Sequence, residues 1–379
     1  MAWNWQLPDW PSFDYDSSRL GRAEGAFLRE AGVVIGSIRH LPEAERGLLT
    51  VELLGREAVT TSEIEGELLD RDSVQSSIRR QLGLAADNRR VRPAEQGVAE
   101  VMVDLYRSFA EPLTHETLFG WHRLLMKGRN DLSEVGGYRT HTEPMQIVSG
   151  RIDNPRVHFE APPSIRVSEE MDRFLDWFAR TGPGGERALP AVTRAGLAHL
   201  YFESIHPFED GNGRVGRAIS EKALAQGVGE PSLTALAATI LRKRAAYYSE
   251  LELANKSNTV TRWLEWFAAT VVEAQRRTQA EVEFTIAKTR MLDRLRGKIN
   301  ERQEKALLRM FREGIDGFKG GMSAEKYRSI TGATPATTTR DLAALVELEA
   351  LARTGERKGT RYHLAVGTAP VRPENLDRL

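Results

Sequence analysis

His206-Pro-Phe-Glu-Asp-Gly-Asn-Gly-Arg-Val-Gly-Arg217 is the stretch on which the reading of this chain turns. It contains Gly211-x-Gly213-x-x-Gly216, which read alone is a dinucleotide-binding fingerprint, with Glu230 at about the distance of a ribose contact. Context rejects that reading. The fingerprint has to follow a strand inside a βαβ unit, whereas Pro190 to Ile205 is apolar almost all round, as in a helix through a core, and no strands follow. No Walker loop ending in Gly-Lys-Ser/Thr occurs. Glu203-x-x-His206 is half of a di-metal carboxylate site, but it occurs once and such bundles need it twice.

What remains is a helix, a tight loop and a second helix. Gly211, Asn212 and Gly213 allow backbone N–H groups to turn toward one point at the start of the second helix, forming an anion nest. Arg214 and Arg217 lie three apart on that helix, so both guanidinium groups project from one face, as a polyphosphate needs. Asp210 is a hard oxygen ligand suited to a Mg²⁺ that bridges phosphates. His206, at the end of the first helix, is the natural general base, and Phe208 is expected to point into the core.

Outward from this centre the pattern is mostly helical. Leu20, Phe27, Val34 and Ile38 recur at helical spacing, with Pro42 opening the next helix, and the pattern persists to about Leu84. Helices follow over 93–109 and from Thr114, as N-cap, to Met126. Between residues 136 and 163 two short apolar runs, Met145 to Val148 and Val157 to Phe159, flank Gly150 and Asp153-Asn154-Pro155, which predicts a β-hairpin. Helices resume over 167–180 and from Leu189. Residues 261–296 contain no Gly or Pro, which predicts one long helix or a closely joined pair. The last segment reads as helices over 303–311, after Ser323 and over 335–348, closed by a hairpin of 351–354 and 360–364, the order of a winged helix-turn-helix. Trp3, Trp5 and Trp10, with Pro8, Pro11 and Phe13, predict an extended arm laid in a surface groove or against a partner.

With 379 residues, 41% hydrophobic and 28% charged, the chain is long enough for two or three packed units. Lys+Arg and Asp+Glu both total 53, so no net field draws the whole protein to nucleic acid or lipid. The absence of cysteine excludes disulfides, thiolate nucleophiles and Cys-ligated zinc. No signal-like segment or long apolar run is present, so a cytoplasmic protein without membrane spans is expected.

The stretch 206–217 resembles the Fic family signature, His-x-Phe-x-Asp/Glu-Gly-Asn-Gly/Lys-Arg-x-x-Arg, at every defining position. The resemblance extends with falling specificity over about residues 1–290. It implies a mainly α fold: a Fic-type helical domain with a small β-hairpin flap, plus a C-terminal winged helix-turn-helix. The expected segments are 1–90 (Trp-rich arm and helices), 91–260 (catalytic domain), 261–299 (helical connector) and 300–366 (winged helix).

The same resemblance implies transfer of AMP from ATP to a hydroxyl side chain of a target protein or of the chain itself. His206 would deprotonate the hydroxyl, Asp210 hold Mg²⁺, the Gly211–Gly213 nest and Arg214 hold the α- and β-phosphates, and Arg217 grip the γ-phosphate. Gln146, Ile147, Val148 and Ser149 look like the flap that pairs with the target, and Tyr247 and Tyr248 like the region beside the nucleobase, with core packing as their other reading. Thr61-Ser-Glu-Ile-Glu65-Gly66 is similar to the family's inhibitory helix. Glu65 would then occupy Arg217, with Thr61 helping to hold it, while Glu63 and Glu67 are expected to point around the helix. Rival readings are transfer of another phosphate-linked group, removal of AMP with Glu65 orienting a water, and DNA binding through Arg353, Arg357, Lys358 and Arg361 of the wing. A homodimer is compatible with all of them.

Overall fold

The computed structural model describes residues 2–151, 154–231 and 233–366. Asp153 and the Lys358 side chain, both named from sequence, lie outside the described residues. The chain divides into two compact units, one running through Arg39 and over Thr50–Thr278, the other comprising His40–Leu49 and the chain from Gln279 on.

The periodic apolar positions of the N-terminal third become α1 (Gly21–Arg39), α2 (Glu43–Ile64) and α3 (Arg71–Gln81). The start of α3 is fixed by Asp70, whose carboxylate accepts the Ser73 N–H at 2.8 Å. Next come α4 (Pro93–Ser108) and α5 (His115–Leu125), the latter capped by the Thr114 hydroxyl, which accepts the Thr117 N–H. The predicted hairpin is β1 (Gln146–Arg151) and β2 (Asn154–Glu160), antiparallel with Gln146 opposite Glu160 and Arg151 opposite Asn154.

The helix expected from 167 starts earlier, as α6 (Ser164–Arg180), because Pro163 is compatible with the position just before a helix. Then follow α7 (Ala191–Ile205), α8 (Asn212–Val228), α9 (Leu236–Arg242), α10 (Arg244–Ala254) and α11 (Thr261–Leu295), a single helix as the run without Gly or Pro predicts.

Every residue of α7 is buried, and the helix packs most closely against α8. Gly227 permits that approach, since a Cβ there would lie 2.4 Å from the Ala191 Cβ. One continuous core holds Phe27 of α1, Val74 of α3, Val98 of α4, Phe174 of α6, Leu197 of α7, Ile219 of α8 and Phe267 of α11. Each such side chain contributes roughly 1.5–3 kcal/mol on burial. α7 also buries Arg194, whose guanidinium donates to the Phe178 carbonyl at 2.8 Å and to Gln226 at 2.9 Å, satisfying a charge that would otherwise be costly.

The Trp-rich arm lies in a groove of the same unit. Trp3 packs edge-on against Phe159, the Trp5 indole N–H donates to the Glu160 carbonyl at 2.7 Å, and the Trp10 indole donates to Glu170 at 2.9 Å. Asn4 is fully buried and donates to Ser204 on α7. The arm therefore fastens the base of the hairpin to the helical core.

In the second unit, the end of α11 packs with α12 (Glu301–Phe311), α13 (Ala324–Thr331), α14 (Pro335–Glu347) and the antiparallel pair β3 (Leu351–Thr354) and β4 (Arg361–Leu364), around Leu295, Leu307, Tyr327, Leu345 and Leu351. Asp341 accepts from Tyr327, Arg302 and Asn300, which ties α12, α13 and α14 together. Among the described residues no helix is long and apolar enough to cross a membrane.

Candidate active site

α7 ends at His206, whose backbone is left-handed (φ 51°, ψ 59°). A non-glycine residue pays of order 1 kcal/mol for that conformation, so something must hold it. The holder is Arg139, a buried residue that sequence reasoning did not single out. Its Nε donates to the His206 carbonyl at 2.9 Å, and its other nitrogens reach Ser164 and the Pro162 carbonyl just beyond β2. No periodicity marks such a residue, because arginine is ordinarily a surface side chain.

Past His206 the chain turns through Phe208, which is fully buried and stacked on His122 with ring centroids 4.1 Å apart. His122 accepts the Gly136 N–H at Nδ1, so its Nε2 carries the proton and donates to the Asp210 carbonyl at 3.2 Å. Asn212 turns its side chain back to pair both ways with the Phe208 backbone, bracing the loop and leaving only its backbone to line the nest. Gly211 has φ 81°, the left-handed conformation that favours glycine, and α8 starts immediately after it.

His206, Asp210, Gly211, Asn212, Gly213, Glu65, Tyr247, Tyr248 and the hairpin together bound one cleft of about 730 Å³. Burial first, then the Arg139 charge, pushes the His206 imidazole down to about 4, so it is neutral and ready to accept a proton at pH 7. Burial pushes the Asp210 carboxyl up, but hydrogen bonds from Arg129 and the Gly211 N–H more than offset this and hold it below the usual carboxylate range. Arg129, also unforeseen, donates to Asp210 at 2.6 Å. The carboxylate thus already carries a cation of its own chain.

Arg217 is buried, and its Nη2 lies 2.8 Å from Glu65. A Cβ on Gly213 would come within 2.3 Å of the Glu65 carboxylate, so a larger residue there would displace Glu65 from this position. Thr61 does not act as expected: it holds Arg217 instead of Glu65, accepting from Nε with its hydroxyl (2.8 Å) and from Nη2 with its carbonyl (2.9 Å). The reason is that Thr61 sits in the last turn of α2, facing α8, while Glu65 lies beyond the helix end.

The same boundary corrects the expectation for Glu67. α2 stops at Ile64, so Glu67 is not on the helix, and it pairs with Arg214 at 2.7 Å. The two arginines therefore face two different carboxylates.

On the far wall Tyr247 is a core residue, buried with its hydroxyl on His199 at 2.7 Å, whereas Tyr248 keeps 40% of its surface exposed. In the hairpin the Ser149 hydroxyl is engaged by His158 and the Gln146 amide by Glu160, while Ile147 and Val148 are exposed. β1 pairs only with β2, so its outer edge has no strand partner among the described residues. Glu252 of α10 accepts from His158 at 2.7 Å and from Arg156 at 3.1 Å, latching β2 over the cleft.

Glu203, set aside above as half of a metal motif, lies behind the site with Oε2 3.7 Å from His206 Nδ1. Burial, then the Glu65 charge, pushes its carboxyl up to about 8. The folded protein thus keeps a proton there that the unfolded chain releases near pH 4.3. A raised carboxyl pKa costs stability as pH rises between those values, at up to about 1.4 kcal/mol per unit. Glu203→Gln, which has no proton to lose, is expected to match the wild-type Tm near pH 4 and to exceed it increasingly up to pH 8. Thermal melts across that range check this; a Tm difference independent of pH would mean that Glu203 is ionised throughout.

Residues 112–224 match the Fic/DOC family, and residues 3–84 match a domain of unknown function, DUF4172. Over 102 residues the chain is 30% identical to the probable protein adenylyltransferase of Aquifex aeolicus (strain VF5), covering 27% of this chain and 28% of that one. It is 30% identical over 119 residues to the protein adenylyltransferase Fic of Drosophila willistoni, covering 31% and 22% of the two chains. The matches thus span less than a third of either relative. A Fic family protein from Desulfovibrio desulfuricans G20 shares the fold, with a TM-score of 0.52 at 23% identity over 93% of this chain and 98% of that one. Residues 112–224 of the chain therefore form a Fic/DOC family domain.

Proposed function

We propose that this protein is an adenylyltransferase that moves AMP from ATP to a hydroxyl of a target protein or of itself, and that Glu65 holds it in an inhibited state. The observation that carries the reading is the meeting, at one cleft, of a neutral buried imidazole, a glycine turn opening a helix and a hard carboxylate, with the Arg217 guanidinium behind Glu65 of the cleft wall and Arg214 beside it on Glu67. These are the parts needed to hold a polyphosphate and take a proton beside it.

In this reading the target segment pairs with the free edge of β1, which brings its hydroxyl to His206. His206 Nε2 takes the hydroxyl proton as the oxygen bonds to the α-phosphorus. The bond from that phosphorus to the bridging oxygen breaks, and pyrophosphate leaves against Arg214 and Arg217. Asp210 fits a Mg²⁺ by its chemistry and by the cation that Arg129 already places on it, and the ion would neutralise phosphate charge. For the C-terminal unit we propose a winged helix-turn-helix, on its order of three helices and a hairpin, with Arg353 and Arg357 exposed on the latter.

Incubation with ATP labelled at the α- or the γ-phosphate, alongside the other nucleoside triphosphates, tests the reading. Label is expected to become covalently attached from α-labelled ATP and not from γ-labelled ATP. Attachment of the γ label would instead indicate kinase chemistry and overturn it.

A further inference from the structure

We propose that Glu67, beside the cleft, is a second affinity-determining residue, one that sets the binding of a nucleotide's inner phosphates by occupying Arg214. This rests on the adenylyltransferase reading, in which Arg214 receives the α- and β-phosphates.

The local backbone explains how one turn supplies two carboxylates. After α2 the Glu67 N–H donates to the Ser62 carbonyl and the Gly66 N–H to the Glu63 carbonyl, both at 3.0 Å, with Gly66 at φ 85°. This pairing of a longer bond around a shorter one through a left-handed glycine is the Schellman helix stop. It puts Glu65 at the cap and Glu67 two residues on, past the glycine. The latter position ordinarily packs a hydrophobic side chain against the helix end. Here it carries a carboxylate that leaves the helix and reaches α8.

The two pairs differ in what they block. Glu65 lies on Arg217, the partner of the γ-phosphate in the proposed reading, and so opposes only a triphosphate. Glu67 lies on Arg214, which any nucleotide with α- and β-phosphates must use, and so opposes a diphosphate as well. Arg214 is nearly buried, with its Nε lacking a partner among the described residues, so an anion at its exposed end matters to it. The Glu67 side chain is 36% exposed, and water and salt therefore moderate the pair.

The test is nucleotide length. Affinities of the full chain for ADP and ATP, measured by calorimetry in Mg²⁺ buffer, are compared among wild type, Glu65→Gln, Glu67→Gln and Glu67→Ala. Both Glu67 variants are expected to bind ADP about three- to tenfold more tightly than wild type, with Ala at least equal to Gln because Gln keeps an acceptor for Arg214. Glu65→Gln is expected to tighten ATP and to leave ADP within about twofold. If Glu65→Gln tightens ATP while both Glu67 variants leave ADP unchanged, the role of Glu67 is refuted and the reading of the cleft stands. If none of the four proteins binds either nucleotide, that reading falls and the inference with it.

Discussion

His206→Ala is expected to slow AMP transfer by roughly 10²–10⁴ while leaving ATP affinity and Tm close to wild type. The imidazole contributes a neutral nitrogen at the cleft and little else. Burial holds it down to about 4, so at pH 7 it is wholly in the proton-accepting form. Its backbone is pinned by Arg139 through the carbonyl, a contact that alanine retains. The phosphate contacts proposed for the nucleotide come from the Gly211–Gly213 turn, Arg214 and Arg217, none of which the substitution touches. Single-turnover labelling with calorimetry of ATP binding on the same preparation separates the two effects. Wild-type labelling in this variant would remove His206 as the base, and a parallel loss of ATP binding would make it a structural residue.

Glu65→Gly is the opposite case, a substitution expected to raise self-labelling by about 5–150-fold, the range of a coupling worth 1–3 kcal/mol. In the closed arrangement Arg217 is buried, and its charge is satisfied by Glu65 at 2.8 Å together with two bonds to Thr61. Without the carboxylate Thr61 still aims the guanidinium, but a buried cation is left without its anion. A γ-phosphate then enters without first displacing a competitor. Glu63→Gly, whose carboxylate has no part in these contacts, is the control and is expected to label at the wild-type rate. Equal labelling by wild type, Glu63→Gly and Glu65→Gly would remove autoinhibition from the account.

The contrast among these carboxylates bears on what could be read in advance. Glu65 was legible because Thr61, Glu65 and Gly66 stand at short fixed spacing. Glu67 was misjudged for a geometric reason: a helix extended past Ile64 turns its side chain away, whereas the left-handed Gly66 ends the helix and redirects the chain toward α8. A glycine immediately before a polar position, at the end of a helical pattern, is the signal that marks it.

Arg129 and Arg139 gave no comparable signal, since their partners Asp210 and His206 are distant in sequence. Glu203 was visible as a spacing. Its meaning was not, because a carboxyl is pushed up by burial, and burial is not written in a spacing.

By itself the sequence determined what depends on near neighbours. Helix periodicity, the cap at Thr114, the hairpin and the tight turn from His206 into α8 all follow from preferences acting over a few residues. The tertiary structure alone decided which charge meets which: Glu65 with Arg217, Glu67 with Arg214, Arg129 with Asp210, and Arg139 behind His206. Such pairs are set by how whole helices pack, and a charged side chain reads the same in sequence whether it ends in solvent or in a closed cleft.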